Sequence, residues 1–323
     1  MPTNDHTVPQ SYLRRFAQKS KGQAHQIVAA PADHIDRSFL TSVRNVAAVT
    51  GFHWGTDLEG VPHHTMEDLM TAIESAAAPA FSAVLVTSFA LPARWPPTAD
   101  VRTRLSWWIA AQIVRTKRQR HRLDYLTGDG RSSRDDAPAP RQVREFSRNN
   151  QHLTFIATHL APLAAILVSK PWGIGFSDTC IATSDAPVIL MNGQDADAQL
   201  LSVAYWDVIL PLDPHRFLIM PTPGSQSERA TWTDHRVKLP GGLGTFLVNL
   251  VRSVADEQMF WHPGHEPSGV ADLPSNGGRL SRPWAGDATY ADPEFIIQYH
   301  AMDPGTTVER RWLTEHAPPR RGS

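Results

Sequence analysis

Cysteine is almost absent from this sequence, since Cys180 is the only one in 323 residues. A single cysteine excludes an intramolecular disulfide and is typical of a reducing compartment. The chain also has no run of about 18 apolar residues and no apolar N-terminal segment of the signal-peptide type. We therefore expect a cytoplasmic protein that has no membrane partner.

Neither sign of charge is in excess, because 31 lysines and arginines stand against 32 aspartates and glutamates. This balance neither requires nor excludes a polyanionic partner, so any nucleic-acid surface must be local. Walker loops, dinucleotide glycine fingerprints, serine nucleophile elbows and HExxH motifs are also missing. The fifteen histidines show no zinc-ligand spacing, since His262 and His265, for example, lie in a turn-rich segment. Cys180 is predicted to lie in a buried strand.

What is present is enough apolar surface for a core, at 41% hydrophobic residues. Helical periods cover 65–84, 100–121, 151–168 and 243–259. Short apolar runs between 175 and 220, separated by Asp, Pro and Gly, predict strands. We predict an α+β fold, with a mainly helical first half packed with a small antiparallel sheet in the second half. Residues 1–262 are predicted to form a single interlocked domain, and 263–323 a turn-rich C-terminal extension with little order.

Residues 5–16 combine a histidine, a proline, two arginines and an apolar set. Pro9 suits a first helical turn, where its missing N–H has no intrahelical acceptor. The apolar residues that would then face the core are Tyr12, Leu13 and Phe16. The same helix would present His6, Gln10 and Arg14 together. The alternative is a docked helix whose arginines are solvated.

Two polar residues interrupt the apolar face of the helix around Trp108. Gln112 and Arg115 continue that face at helical spacing. A buried arginine requires a carboxylate, a phosphate or several carbonyls, so both residues are candidates for binding an anion. Alternatively, Arg115 pairs structurally with an acid such as Glu74, and the basic residues that follow it form a solvated helix end.

Three carboxylates are candidates for acid–base or metal chemistry. Glu67 and Glu74 lie two turns apart on one helix, about 10 Å along its axis, which is too far for an unaided metal pair. Glu74 lies among alanines, and burial there would suit a general acid, with a salt bridge as the alternative. Asp185 is either a general base or metal ligand in a cleft, or the cap of a Ser-Asp turn.

Several of these segments resemble a mainly bacterial family catalogued as domain of unknown function 4238 (DUF4238). Residues 6–16 are similar to its H-x-V-P-x-x-Y-L-x-x-F pattern, and residues 112–116 to its Q-x-x-R-T helix. Residues 183–188 and 210–214 resemble its S-D-x-P-V and L-P-L-S-P elements. The resemblance extends from about residue 5 to residue 260, with the motifs in the family's order.

Two positions depart from the family pattern. Lys117 replaces a common proline, and Ala186 replaces a common asparagine. Neither change removes a reactive group. The resemblance implies no particular activity, but it favours one shared site for His6, Gln10, Glu74, Gln112, Arg115 and Asp185.

Our first hypothesis is a nuclease-like phosphoester hydrolase acting on a phosphate-containing substrate or nucleic acid. Its catalytic residues would be His6, Glu74 and Asp185, as acid, base or ligands of a divalent metal such as magnesium or manganese. Its substrate-binding residues would be Gln10, Arg14, Gln112 and Arg115. Phosphodiester cleavage fits this set better than acyl transfer, for which no nucleophile is evident. The alternatives are a non-catalytic nucleotide- or partner-binding module with a structural polar cluster, and a small-molecule tailoring enzyme.

Overall fold

The computed structural model describes residues 4–20, 22, 24–57, 59, 61–85, 95–126, 141–177, 179–191, 207–221, 235–238, 243–267, 270 and 300–301. Its helices are α1 Gln10–Leu13, α2 Thr65–Val84, α3 Ala99–Val114, α4 Lys117–Leu126, α5 Arg141–Ser169 and α6 Leu243–Val254. Its strands are β1 Asn4–His6, β2 Gln18–Lys19, β3 His25–Pro31, β4 Phe39–Ser42, β5 Ala48–Thr50, β6 Gly55–Thr56, β7 Pro62–His63, β8 Gly173–Phe176, β9 Thr183–Ser184, β10 Ile189–Met191, β11 Asp207–Asp213, β12 Arg216–Met220, β13 His235–Lys238, β14 Gln258–Trp261 and β15 His300–Ala301. Single-turn 3-10 helices cover Arg14–Phe16, Ile35–Arg37 and Val43–Asn45.

The long helices form because apolar residues recur every three or four positions and bury one face. In α2 the buried residues include Met66, Met70, Ile73 and Ala77. α3 begins at an ordinary cap, where the hydroxyl of Thr98 accepts the N–H of Val101. These two helices and α5 pack together around the first core cluster.

Two larger sheets form among the described residues. One has the strand order β10-β11-β12-β8-β13-β15 and is antiparallel except where β13 runs parallel to β8. The other has the order β2-β3-β14-β9, with β4 also paired to β3. β14 therefore lies between strands from the start and the middle of the chain. α6 packs near these sheets, and its Leu247, Val248 and Val251 belong to a second buried cluster.

The predicted inward face of the first helix is confirmed, since Tyr12, Leu13 and Phe16 are at most 1% exposed. Ring centroids lie 5.1 Å apart for Tyr12 and Trp108 and 4.9 Å apart for Phe81 and Trp108. These contacts dock the N-terminal segment on α2 and α3. The phenolic oxygen of Tyr12 is also hydrogen-bonded, to the Pro211 carbonyl at 2.6 Å and the Thr183 hydroxyl at 2.8 Å.

The fold is α+β, but helices and strands are not divided between the two halves of the chain. Short strands already occur before α2, and α6 follows most of the second-half strands. The predicted helix over 100–121 is interrupted at Arg115 and Thr116. The predicted helix over 243–259 ends at Val254, and its last residues belong to β14. Periodicity missed the end of α6 because short apolar runs fit either a helix or a strand. It missed the break at Arg115 and Thr116 because the segments on both sides are helical.

The domain boundary at 262 stays a prediction. Most of the extension over 263–323 lies outside the described residues, although β15 within it pairs with β13. One described segment, Asn149–Ser169 of α5, is long and apolar enough to cross a membrane by length and composition. A helix in a protein core can be equally long and apolar. On this segment Ile156, Leu160 and Leu163 are buried in the cluster that also contains residues of α2 and α3.

Candidate functional site

His6 is held by a short two-stranded pairing at the N-terminal segment. β1 pairs with β5 so that His6 lies opposite Ala48. Thr7 then donates twice to the carbonyl of Ala47, from its N–H at 2.8 Å and its hydroxyl at 3.1 Å. Ala47 has a φ of 50°, which is uncommon outside glycine, and these two bonds hold it there. α1 begins directly after Pro9, as predicted.

Gln10 contacts His6 one turn later. Its amide nitrogen donates to Nε2 of His6 at 2.8 Å, so the proton of the neutral imidazole lies on Nδ1. Nδ1 is buried and has no well-aligned hydrogen bond in the described part of the chain. Burial lowers the pKa of His6, whereas the Val46 backbone and the carboxylates of Glu74 and Glu67 raise it. His6 is therefore mainly neutral at pH 7.

Glu74, Gln112 and Arg115 form one polar unit between α2 and the end of α3. Nη1 of Arg115 donates to Oε1 of Glu74 at 2.7 Å. When the Gln112 amide is assigned with its oxygen toward Arg115, as the surrounding donors require, that oxygen accepts from Nε of Arg115 at 3.0 Å and also from its Nη2. Arg115 is 1% exposed, whereas the side chain of Glu74 is 28% exposed. The structural pairing of Arg115 with Glu74 is thus confirmed, and Glu74 is the part of this unit that reaches solvent.

A second carboxylate group lies beside His6 and was not singled out from the sequence. The backbone N–H of His53 donates to Oδ2 of Asp5 at 2.9 Å. Nδ1 of His53 lies 2.6 Å from Oε2 of Glu67. One ligand-type atom from each of Asp5, His53 and Glu67 lies within 4.8 Å of the other two. The hydrogen bond from His53 lowers the pKa of Glu67, and the nearby Arg115 and His6 lower it further.

This trio and the Glu74 unit make one cluster, which we call the β1–α2 cluster: Asp5, His6, His53, Glu67, Glu74, Gln112 and Arg115. Sequence reasoning missed Asp5 and His53 because their contacts join residues 48 apart. The only local signal was that Asp5 directly precedes His6. Glu67 was considered and set aside because it is too far from Glu74, yet its partners come from other elements.

Arg14 lies outside this cluster and lines a groove. The groove has a volume of about 350 Å³ and is lined by Gln10, Arg14, Gly22, Ala24, His25, Ser42, Val43 and Arg44. Burial lowers the pKa of His25, and the positive charges of Arg14 and Lys19 lower it further. Among the described residues neither Arg14 nor Arg44 makes an ion pair. Gln10 lines the groove and also contacts His6, so it joins the groove to the cluster.

Asp185 does not join the cluster. Its Oδ1 accepts the N–H of Asp256 at 2.8 Å, and its Oδ2 accepts the N–H groups of Glu257 at 2.8 Å and Gln258 at 3.2 Å. Within the described chain none of its hydrogen bonds reaches His6, Glu74 or Arg115. Burial and the Asp256 carboxylate raise its pKa, although the N–H groups of Asp256 and Glu257 oppose this. The capped-turn interpretation is the one that these contacts bear out.

The basic residues after Arg115 do not form a freely solvated end. Nζ of Lys117 lies 2.6 Å from Oε2 of Glu257. Nε of Arg118 lies 3.4 Å from Oδ1 of the buried Asp256. Arg120 donates to the carbonyl of Phe52 and stacks over its ring at 3.7 Å. These contacts fix the start of α4.

No curated protein and no solved structure matches the chain. One family model does match, over residues 4–238. That match includes every residue of the β1–α2 cluster and of the groove. The chain therefore belongs to the family described as protein of unknown function (DUF4238).

Proposed function

We propose that this protein is a phosphoester hydrolase that works with a divalent cation at the β1–α2 cluster. The observation that carries the proposal is a pair of buried imidazole nitrogens, Nδ1 of His6 and Nε2 of His53, that make no well-aligned hydrogen bond among the described residues. A buried nitrogen without a partner costs about 1–3 kcal/mol. Two such atoms beside the carboxylates of Asp5, Glu67 and Glu74 favour a site built to receive a ligand.

Asp5, His53 and Glu67 would hold the cation, because two carboxylates and one imidazole suit manganese or magnesium. The bound ion would polarise the phosphoryl group and activate water. His6 is neutral near pH 7 and therefore suits proton transfer to or from the reacting oxygens. Its contact with Gln10 keeps the ring oriented at the edge of the groove.

Substrate phosphate would lie in the groove, where Arg14 and Arg44 offer two positive side chains. Arg115 has a different part in this proposal. Its guanidinium is buried and engaged by Glu74 and Gln112, so it positions the Glu74 carboxylate rather than contacting substrate. Asp185 is left out of the proposed site, because its carboxylate is used in capping the start of β14.

A second candidate is a non-catalytic module that binds a nucleotide or another phosphate-bearing partner. The groove favours it, since this pocket can bind phosphate with no help from the cluster. The ion pair of Arg115 with Glu74 also fits a purely structural network. The two candidates differ in whether a phosphoester bond is broken.

The test measures release of product from bis(p-nitrophenyl) phosphate, RNA and single-stranded DNA with manganese or magnesium. We expect cation-dependent hydrolysis that falls at least roughly 100-fold in His6→Asn and in Glu67→Gln, because proton transfer and cation binding are lost. Arg14→Gln should raise KM more than it lowers kcat, since it removes a binding charge.

His34→Asn and Glu257→Gln are the matched controls. His34 is a surface histidine 4.0 Å from Asp36, and Glu257 pairs with Lys117 away from the cluster. Both controls should keep the wild-type rate. If no substrate is cleaved with either cation while a labelled nucleotide still binds in an Arg14-dependent way, the binding module replaces the hydrolase.

A further inference from the structure

Cys180, His215 and His265 come together outside the β1–α2 cluster. Cys180 lies in the loop between β8 and β9, His215 in the turn between β11 and β12, and His265 in a turn after β14. Sγ of Cys180 lies 3.7 Å from Nε2 of His215 and 3.5 Å from Nδ1 of His265. One ligand-type atom from each residue lies within 4.8 Å of the other two.

We propose that these three side chains form a zinc site. Tetrahedral zinc binds thiolate sulfur at about 2.3 Å and imidazole nitrogen at about 2.0–2.1 Å, which places ligand atoms roughly 3.4–3.6 Å apart. The two sulfur-to-nitrogen distances lie within about 0.2 Å of that range. A thiolate with two imidazoles selects zinc over magnesium, calcium or manganese, which prefer oxygen.

The loops that carry Cys180 and His215 are tied together by backbone hydrogen bonds. The N–H of Ser177 donates to the carbonyl of His215 at 2.9 Å, and that of Ile181 donates to the carbonyl of Pro214 at 2.8 Å. The N–H of His215 donates to Oδ1 of Asp213 at 2.9 Å. The sulfur and the first imidazole are therefore placed before any ion binds, which lowers the ordering cost of binding.

The presence of a second imidazole favours a metal site over a catalytic pair of one thiol and one imidazole. Activation of a thiol needs one histidine, whereas here His265 approaches the sulfur as closely as the buried His215 does. Among the described residues His262 is a further candidate, with its ring centroid 4.6 Å from that of His265. Its Nδ1 accepts the N–H of Gly264 at 3.0 Å, which places its own proton on Nε2. Within the part of the chain that the structure describes, the site thus has three protein ligands, Cys180, His215 and His265.

The experiment uses the full chain, stripped with a chelator and titrated with zinc, and then with cobalt as a spectroscopic probe. We expect one zinc per chain, a zinc-dependent rise in Tm, and a thiolate-to-cobalt charge-transfer band. Cys180→Ser and His265→Gln should weaken zinc binding roughly 100-fold or more and remove the band. These half-buried positions are preferred because His215 is 1% exposed and its replacement also disturbs the core.

His262→Gln is the matched control, since it changes a histidine of the same turn that is not a proposed ligand. Glu67→Gln separates this site from the cation of the proposed hydrolase. Both variants should bind zinc like the wild type. The zinc site is refuted if the stripped protein takes up no stoichiometric zinc, or if Cys180→Ser and His265→Gln bind zinc as tightly as His262→Gln.

Discussion

At the scale of single residues, Arg115 depends on Glu74 for its charge balance. The guanidinium is 1% exposed, and Glu74 is its carboxylate partner at 2.7 Å. Glu74→Gln keeps the shape but leaves a buried positive charge without a counter-charge. We expect a loss of about 2 kcal/mol in the free energy of unfolding, measured by urea denaturation.

Glu257→Gln is the comparison for that measurement. It breaks an ion pair of similar length, but Glu257 is 54% exposed and Lys117 is 24% exposed. An exposed pair contributes less than about 1 kcal/mol, so this variant should lie close to wild type. If both variants lost the same free energy of unfolding, the burial of Arg115 would not be what makes its ion pair important for stability.

Asp185 should behave as a structural residue. Its two oxygens accept three backbone N–H groups at the start of β14, and asparagine offers only one oxygen. Asp185→Asn is therefore expected to lower the free energy of unfolding by roughly 2–4 kcal/mol, because buried donors lose their acceptor. Asp36→Asn, at a carboxylate that is 55% exposed, should change it little. A stable Asp185→Asn protein that has lost hydrolysis would return Asp185 to the active site.

The residue chemistry was partly predictable because charged side chains in apolar helix faces require partners. That reasoning identified Arg115 and named Glu74 as its acid. It did not identify Asp5 with His53, or Cys180 with two histidines. Those groups form only through contacts between distant segments, the longest of them 85 residues apart.

At the scale of elements, His152 connects α5 to the break between α3 and α4. One ring nitrogen lies 3.0 Å from the carbonyl of Val114, and the other lies 3.3 Å from Nε of Arg120. The carbonyl of Val114 belongs to the last turn of α3, where it has lost its helical partner. Burial and the Arg120 charge lower the pKa of His152 to about 3.

This lowered pKa predicts a pH-dependent stability. The unfolded chain protonates His152 below its ordinary pKa of about 6.5, whereas the folded chain does not until about pH 3. Stability from the neutral ring is therefore full above pH 6.5 and falls as the pH drops toward 3. From pH 7 to pH 5, the advantage of wild type over His152→Gln should shrink by about 2 kcal/mol.

The measurement is urea denaturation of wild type and His152→Gln between pH 7 and pH 5. Because the free energies of unfolding of the two proteins are subtracted, the contributions of the other titrating groups cancel. His34→Gln, at a surface ring, serves as the control and should show a constant difference from wild type. A constant difference for His152→Gln as well would mean that the ring titrates normally in the folded protein.

Helix existence was easier to predict than helix ends. The apolar periods of α2, α3 and α5 predict a helix in each case, because an apolar face recurs within each segment itself. The break at Arg115 depends instead on the tertiary partners of Val114 and Lys117. The same holds for the end of α6, because β14 is a strand only in pairing with β3 and β9.

At the scale of the whole molecule, the second sheet joins segments from three parts of the chain. Met259 and Phe260 of β14 pair with Ala30 and Ala29 of β3 on one side. On the other side they pair with Ser184 and Thr183 of β9. The family match ends at residue 238, so β14 lies beyond it although it is central to this sheet.

This arrangement predicts that residues 4–238 do not fold alone. Truncation after Lys238 removes β14, exposes an edge of β3 and leaves the backbone N–H and both carboxylate oxygens of Asp185 without these partners. We expect no cooperative transition in thermal unfolding followed by far-UV circular dichroism. Truncation after Ala301, which keeps every described strand, should unfold cooperatively. A cooperative transition in the shorter chain would show that β14 is dispensable.

The sequence by itself determined the helical segments, the inward face of the first helix and the family, and it offered the pairing of Arg115 with Glu74 as one of two interpretations. These follow from local period, from side-chain chemistry and from motif order, all of which act within a few turns of the chain. Only the tertiary structure decided that strands and helices are interspersed, that Asp185 caps β14, and that Asp5 and His53 join His6. The physical reason is that hydrogen bonds and ligand groups depend on distances between atoms, and sequence spacing determines such distances only within one element.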